Sequence, residues 1–277
     1  MAKESKENSR RQFIKSGIVA LAGIAALGGG VAYLRSVNGP ENTRTPSFLR
    51  PPGAIQESDF IYGCIKCGLC VQICPISAIK LAGIAEGLAY GTPYIDVRQQ
   101  PCDFSCDSLQ CVETCPTAVL NFKPFEIAGG NAIAAYQQEH EVTEAGFNPF
   151  PVQIKAMKEE VRMGKALVNE NSCLAHQNKG FKGVSRGLDF EGIYRSPNSK
   201  SKKATPLRDQ EFDRAHCDLC VTECPIGDIA IIMETNSQGK MIPKVLDACT
   251  GCGVCVMVCP TQEPSIIVEP IKEVRHV

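Results

Sequence analysis

Sixteen cysteines in a chain of 277 residues constrain this sequence more than any other feature. Fifteen of them fall into four short blocks, and every block closes on Cys-Pro. The first block, GCIKCGLCVQICP, carries Cys64, Cys67, Cys70 and Cys74. The second, PCDFSCDSLQCVETCP, carries Cys102, Cys106, Cys111 and Cys115. The fourth, ACTGCGVCVMVCP, carries Cys249, Cys252, Cys255 and Cys259. The third, HCDLCVTECP, has only Cys217, Cys220 and Cys224. The remaining cysteine, Cys173, stands alone in ENSCLAHQN.

Three chemistries compete for such a pattern. Exported cysteine-rich chains are usually disulfide frameworks, but thiols as close as Cys64, Cys67 and Cys70 are too crowded for one, and the chain is far longer than a stapled miniprotein. Zinc sites use separated C-x-x-C pairs, not quartets that end in Pro. The run C-x-x-C-x-x-C-x-x-x-C-P is the bacterial ferredoxin pattern: three thiolates wrap one [4Fe–4S] cube and the fourth crosses to a neighbouring cube. The first and fourth blocks match it without a gap, and Gly68, Gly251 and Gly253 suit the unusual backbone angles of such loops. The second block is looser, C-x3-C-x4-C-x3-C-P.

The crossing rule groups Cys64, Cys67 and Cys70 with Cys115, and Cys102, Cys106 and Cys111 with Cys74. It also groups Cys249, Cys252 and Cys255 with Cys224. The third block then lacks one ligand, and one cysteine is left over. Cys173 therefore joins Cys217, Cys220 and Cys259, for four [4Fe–4S] clusters in all. His216, next to Cys217, is the competing ligand, and a buried structural cysteine is the bland alternative for Cys173. No Gly-rich nucleotide loop and no nucleophile with a base partner stands out, so no catalytic residue is assigned and the chain reads as an electron-transfer component. An enzyme working at one cluster would need an open iron site, which full quartets argue against.

The net charge of −1 lacks the basic field that nucleic-acid binding requires. The N-terminus reads as a Tat export signal: Arg10-Arg11, then Phe13 and Lys15, then an apolar run from about Gly17 to Leu34. That run only just reaches spanning length. Gly30-Val31-Ala32 is a passable cleavage site, and retention as an inner-membrane anchor stays open. Clusters are built in a reducing compartment whereas the periplasm is oxidising. A cluster protein destined for the periplasm must cross already folded, which is the cargo Tat carries.

The expected fold class is α+β, with two ferredoxin-like modules of two clusters each in tandem, irregular loops and a connecting helix. Residues 1–45 form the signal and a Pro-rich linker, 46–127 the first module, 128–168 a helical connector and 169–277 the second module. Each Cys-Pro should lead into a helical turn and a short strand. Ile154, Met157, Val161 and Met163 to Leu167 suit one amphipathic helix that Asn169 or Asn171 could end. A basic insertion at about 177–212, with Lys200, Lys202, Lys203 and Arg208, reads as a solvated surface loop, or more sharply as a docking surface for an acidic partner.

Taken together, RPPGA, GLAYGTPYIDVRQQPC, RMGKALVNENSCL, CDLCVTECP and DACTGCG resemble the NapG/MauM group of periplasmic ferredoxin-type proteins, over most of Leu49 to Val268. The resemblance implies four [4Fe–4S] clusters in two ferredoxin-like halves. For the NapG branch it implies electrons passed from a membrane quinol-oxidising partner, NapH, towards periplasmic nitrate reductase. The MauM branch implies maturation of, or relay to, another periplasmic oxidoreductase of the methylamine dehydrogenase type, with a reductase or cytochrome as acceptor. The sequence departs from the group around Gly130 to Pro151 and in the basic segment after Cys173.

Overall fold

The helix α1 (Glu57–Gly63) carries Glu57 and Asp59 in its first turn, where carboxylates suit the positive end of the helix dipole, and buries Phe60 completely. Arg50, 6% exposed, pairs with Glu57 at 2.5 Å and donates to Thr92 Oγ1 at 2.9 Å and the Pro93 carbonyl at 2.7 Å. A buried guanidinium is tolerable only with such partners, so Arg50 ties the incoming chain to α1 and to the hairpin that follows. These details come from a computed structural model that describes residues 48–140, 147–201 and 203–271. The twin-arginine segment and its apolar run lie outside the described residues.

Each cysteine block then folds in the same local way. α2 (Leu69–Ile73) begins after Gly68, at φ +75°, and ends at Cys74, which the following Pro75 holds extended. The counterparts are α3 (Gln110–Glu113), after Leu109 at φ +31°, α6 (Leu219–Thr222) and α7 (Val254–Val258), after Gly253 at φ +89°. The second residue of each helix is a cysteine: Cys70, Cys111, Cys220 and Cys255. α2 packs on α3, and α6 on α7. Between the pairs lie α4 (Lys123–His140) and α5 (Phe150–Glu159), packed on each other with Gly129 against Gln153 and Met157.

Short antiparallel strands follow three of the blocks, as expected. β1 (Ile79–Leu81) pairs with β2 (Pro93–Ile95), Ile79 opposite Ile95. The second block has only an isolated bridge, Leu120 to Ala54. β8 (Ile231–Thr235) pairs with β9 (Met241–Val245), and β10 (Ile266–Pro270) with β3 (Gly164–Val168). Small antiparallel sheets among short helices make the class α+β.

Two expectations fail. Residues 164–168 are not the end of a helix. α5 stops at Glu159, and β3 alternates buried Gly164 and Ala166 with exposed Lys165 and Leu167, the period of a half-buried strand. Gly164 also lies so close to the Glu269 carbonyl that a side chain would stand 2.5 Å from it. Nor is the 177–212 segment merely a solvated loop. It contains β4 (Phe181–Gly183), β5 (Ile193–Tyr194) and β6 (Thr205–Pro206). β4 pairs with β7 (Phe212–Arg214) and β5 with β6. Tyr194 and Leu207 are fully buried in the main core alongside Phe60, Val254 and Met257. Its polar composition hid two core anchors spaced too far apart to make a period.

Pro46–Val277 forms one compact unit. Its main core runs from Leu49 to Val258, and a smaller cluster gathers Ala166, Ile231, Cys259 and Ile266. The segment Asp96–Ser105 knits the two sequence halves. The Cys102 N–H donates to the Cys252 carbonyl at 3.2 Å, and Gln100 accepts from the Ile193 N–H at 2.9 Å. Asp103 accepts from the Arg195 N–H. Among the described residues no helix is long and apolar enough to cross a membrane.

Candidate metal centres

All sixteen cysteines are free of disulfides, and they gather in fours. One cavity is lined by Cys64, Cys67, Cys70 and Cys115, with Ile65, Leu81 and Val119 among its walls. A second is lined by Cys173, Cys217, Cys220 and Cys259, with Leu219 and Ile266. A third is lined by Cys224, Cys249, Cys252 and Cys255, with Ile231 and Val245. Cys173 thus stands with the three cysteines that lacked a partner, while His216 is exposed and does not line that cavity.

The last four, Cys74, Cys102, Cys106 and Cys111, lie near enough to act on one another's charge, as Cys70 also does on Cys111. Cys106 and Cys74 both push the Cys111 thiol up, Cys74 does the same to Cys106, and Cys111 and Cys106 to Cys102. In each of these thiols burial is the larger cause.

The four groups follow one another through the molecule. Cys70 and Cys74 belong to neighbouring groups and lie four residues apart along α2, about 6 Å of helix rise. Cys220 and Cys224 are related in the same way about α6. The middle groups meet where the Cys102 N–H reaches the Cys252 carbonyl, and Cys252 also raises the Cys102 thiol. Cys220 raises Cys255 across the second helix pair.

The donor set fits iron–sulfur groups. Burial raises Cys70 and Cys217 to about 11 and Cys252 to about 12, and pushes Cys220 and Cys255 well up. Neighbouring thiols add to each shift. Thiols that resist ionisation in apolar walls become ligands only when cationic metal replaces their protons. Tetrahedral zinc would draw four sulfurs to about 2.3 Å from one ion. Among the described residues, no three His, Cys, Asp or Glu side chains are placed to hold a single metal ion. Four thiols spread around a cavity suit a cube instead.

The closing cysteines differ in their surroundings. Cys259, 8% exposed, has Thr261 Oγ1 at 3.1 Å from its sulfur and accepts from the Ser265 N–H at 3.3 Å. Cys74 accepts from the Ala78 N–H at 3.3 Å, and Cys115 has Thr117 Oγ1 at 3.8 Å. Glu223, between Cys220 and Cys224, is buried and accepts from Tyr194 and Asn198 at 3.0 and 3.4 Å and from Ser196. The inserted segment thereby grips the third cysteine block. Glu223 and Tyr194 had no motif to announce them, because their partners are long-range. Arg98 was quoted within a motif but had no assigned role.

A family model described as a 4Fe-4S dicluster domain matches residues 63–119 and 214–262. The ferredoxin-type protein NapG of Escherichia coli (strain K12) is 30% identical over 98% of this chain and 90% of its own length. The methylamine utilization ferredoxin-type protein MauM of Methylorubrum extorquens is 31% identical over 96% and 90%. MauM of Paracoccus denitrificans is 28% identical over 96% and 92%. No solved structure matches. Near-full-length similarity to both branches, on a scaffold that gathers its cysteines in fours, places the chain in the NapG/MauM family of ferredoxin-type proteins.

Proposed function

We propose that the chain is a four-cluster electron relay of the periplasm, built as two ferredoxin-like modules in tandem. The ligand sets are Cys64, Cys67, Cys70 and Cys115; Cys74, Cys102, Cys106 and Cys111; Cys224, Cys249, Cys252 and Cys255; and Cys173, Cys217, Cys220 and Cys259. The observation that carries this reading is the succession of cysteine groups, each neighbour linked by a short helix or by the Cys102–Cys252 hydrogen bond. When bound, the clusters supply one-electron carriers. The chain holds them in file, walls them with apolar side chains and directs backbone N–H groups at their sulfurs.

In this reading the twin arginines send the loaded protein through Tat, and a retained signal or a membrane partner keeps it at the inner membrane. Electrons come from a membrane quinol-oxidising protein of the NapH kind and leave to a periplasmic reductase, with nitrate reductase the leading candidate. The MauM relatives, as similar as NapG, favour a second reading: service to another periplasmic oxidoreductase as relay or maturation factor.

Deleting the gene is expected to slow quinol-dependent nitrate reduction while the isolated reductase keeps its activity with an artificial donor. Unchanged quinol-dependent rates would shift the assignment to the second reading. Purified protein should carry about sixteen iron atoms per chain. Replacing Arg10 and Arg11 with Lys should strand the loaded protein in the cytoplasm, and normal periplasmic amounts would remove the Tat reading.

A further inference from the structure

The segment that knits the halves carries Arg98 across the boundary. Its guanidinium donates to four second-half carbonyls: Val256 at 2.6 Å, Cys259 at 2.9 Å, Thr261 at 2.7 Å and Gln262 at 3.2 Å. Arg186, from the inserted segment, stacks on Phe190 with its guanidinium carbon 3.9 Å from the ring centroid. It donates to the Arg98 carbonyl at 2.9 Å and the Met257 carbonyl at 3.3 Å. Both side chains are half-buried, and among the described residues neither forms an ion pair. Two cations thus gather beside one thiol ligand, Arg98 on its carbonyl and Arg186 behind it on the carbonyls of Arg98 and Met257. The equivalent ligand of the first half, Cys115, has no cation fixed on its carbonyl among the contacts of the described residues.

Resting on the relay reading above, we propose that Arg98 and Arg186 are positioning residues that raise the reduction potential of the iron–sulfur group held by Cys173, Cys217, Cys220 and Cys259. Reduction adds one negative charge to a thiolate-bound group that is already anionic, and the nearest fixed charges decide how readily it is accepted. A fixed cation in a partly desolvated site acts through a lower effective dielectric than a surface lysine, so its field is not screened away. The arginines supply that field, while Thr261 and Ser265 stabilise the same sulfur by hydrogen bonding. The far site of the second half becomes the place where an electron settles, with its bias set by a residue of the first half. Docking of the halves and tuning of that site are then one event.

The test is an EPR-monitored redox titration of the intact, purified protein. Cys173→Ser identifies which signal belongs to this site. Arg98→Gln should shift the midpoint of that signal to more negative potential and leave the others in place. Arg98→Lys should lie nearer the native value, and the Arg98→Gln/Arg186→Gln double variant should shift further. Full iron content and a native circular dichroism spectrum separate tuning from misfolding. Should Arg98→Gln disturb folding, Arg186→Gln alone carries the test, with the same sign of shift. Unmoved midpoints in folded, fully loaded variants would overturn the proposal, as would a shift confined to a signal that survives in Cys173→Ser. Failure of the quinol-dependent strain assay would instead count against the relay reading, since the titration needs no partner.

Discussion

Cys64 and Cys173 open equivalent cysteine groups, yet one lies half-buried on a contiguous loop and the other is 8% exposed, cut off from Cys217 by the whole 177–212 segment. In the first half Cys67 is exposed and a single run, residues 64–70, supplies three of the four thiols that line its cavity, with Cys115 and the residues around it closing the other side. In the second half the third block and its distant thiol are held by long-range contacts: β3 pairs with β10, and Tyr194 and Ser196 close on Glu223. A site built from neighbours in sequence depends little on the rest of the molecule. A site closed by long-range contacts rises and falls with the whole fold, because its loop-closure entropy is met only by tertiary packing.

The largest break in that comparison is Cys173→Ala. It should cost one of the four proposed clusters, about a quarter of the iron, or leave a three-iron remnant, with the first-half spectrum untouched. Iron analysis with EPR decides it. A full complement with an unchanged spectrum would hand the vacancy to another ligand.

Next comes Leu207→Ala, which removes a fully buried side chain from the inserted segment. A cavity of that kind costs about 2–5 kcal/mol, seen as cluster absorbance lost at lower urea. Leu188→Ala in the same segment, at 72% exposure, should stay within about 0.5 kcal/mol. Equal, small effects would return the segment to the status of a solvated loop.

The matched glycines sharpen the contrast. Gly68, at φ +75°, lies on the wall of its cavity with no other residue near it, so from the protein alanine there meets left-handed backbone strain, about 1–2 kcal/mol. Gly253, at φ +89°, lies against Val97 of the first half, and a methyl group there collides with it. Gly253→Ala should cost about 1–3 kcal/mol more than Gly68→Ala, read as the difference in their urea midpoints.

The smallest effect compares two hydroxyls. Thr261→Val removes a contact to the Cys259 sulfur at 3.1 Å, and Thr117→Val one to Cys115 at 3.8 Å. The first should move its cluster's midpoint slightly downward, by on the order of 1 kcal/mol or less. The second should leave its signal in place, because a contact that long adds little even to sulfur.

The cysteine spacing determined the chemistry by itself: thiols in C-x-x-C-x-x-C runs closed by Pro offer one geometry to one kind of cofactor, and the third block's missing fourth thiol pointed to Cys173. Short strands after three of the blocks were legible for the same reason, since Pro stops the helical turn and β-branched residues follow. GKALV could have been read as a strand from its alternation, but the apolar positions of α5 run into it and share its helical spacing. Only the tertiary structure decided that Tyr194 and Leu207 anchor a polar segment in the core, that Glu223 lies beneath it, and that Arg98 reaches the carbonyl of Cys259. Each of those depends on partners from 16 to more than 150 residues away. Local spacing carries ligand geometry because a cluster is no larger than a few residues of chain. It cannot carry contacts whose free energy exists only once distant surfaces have already met.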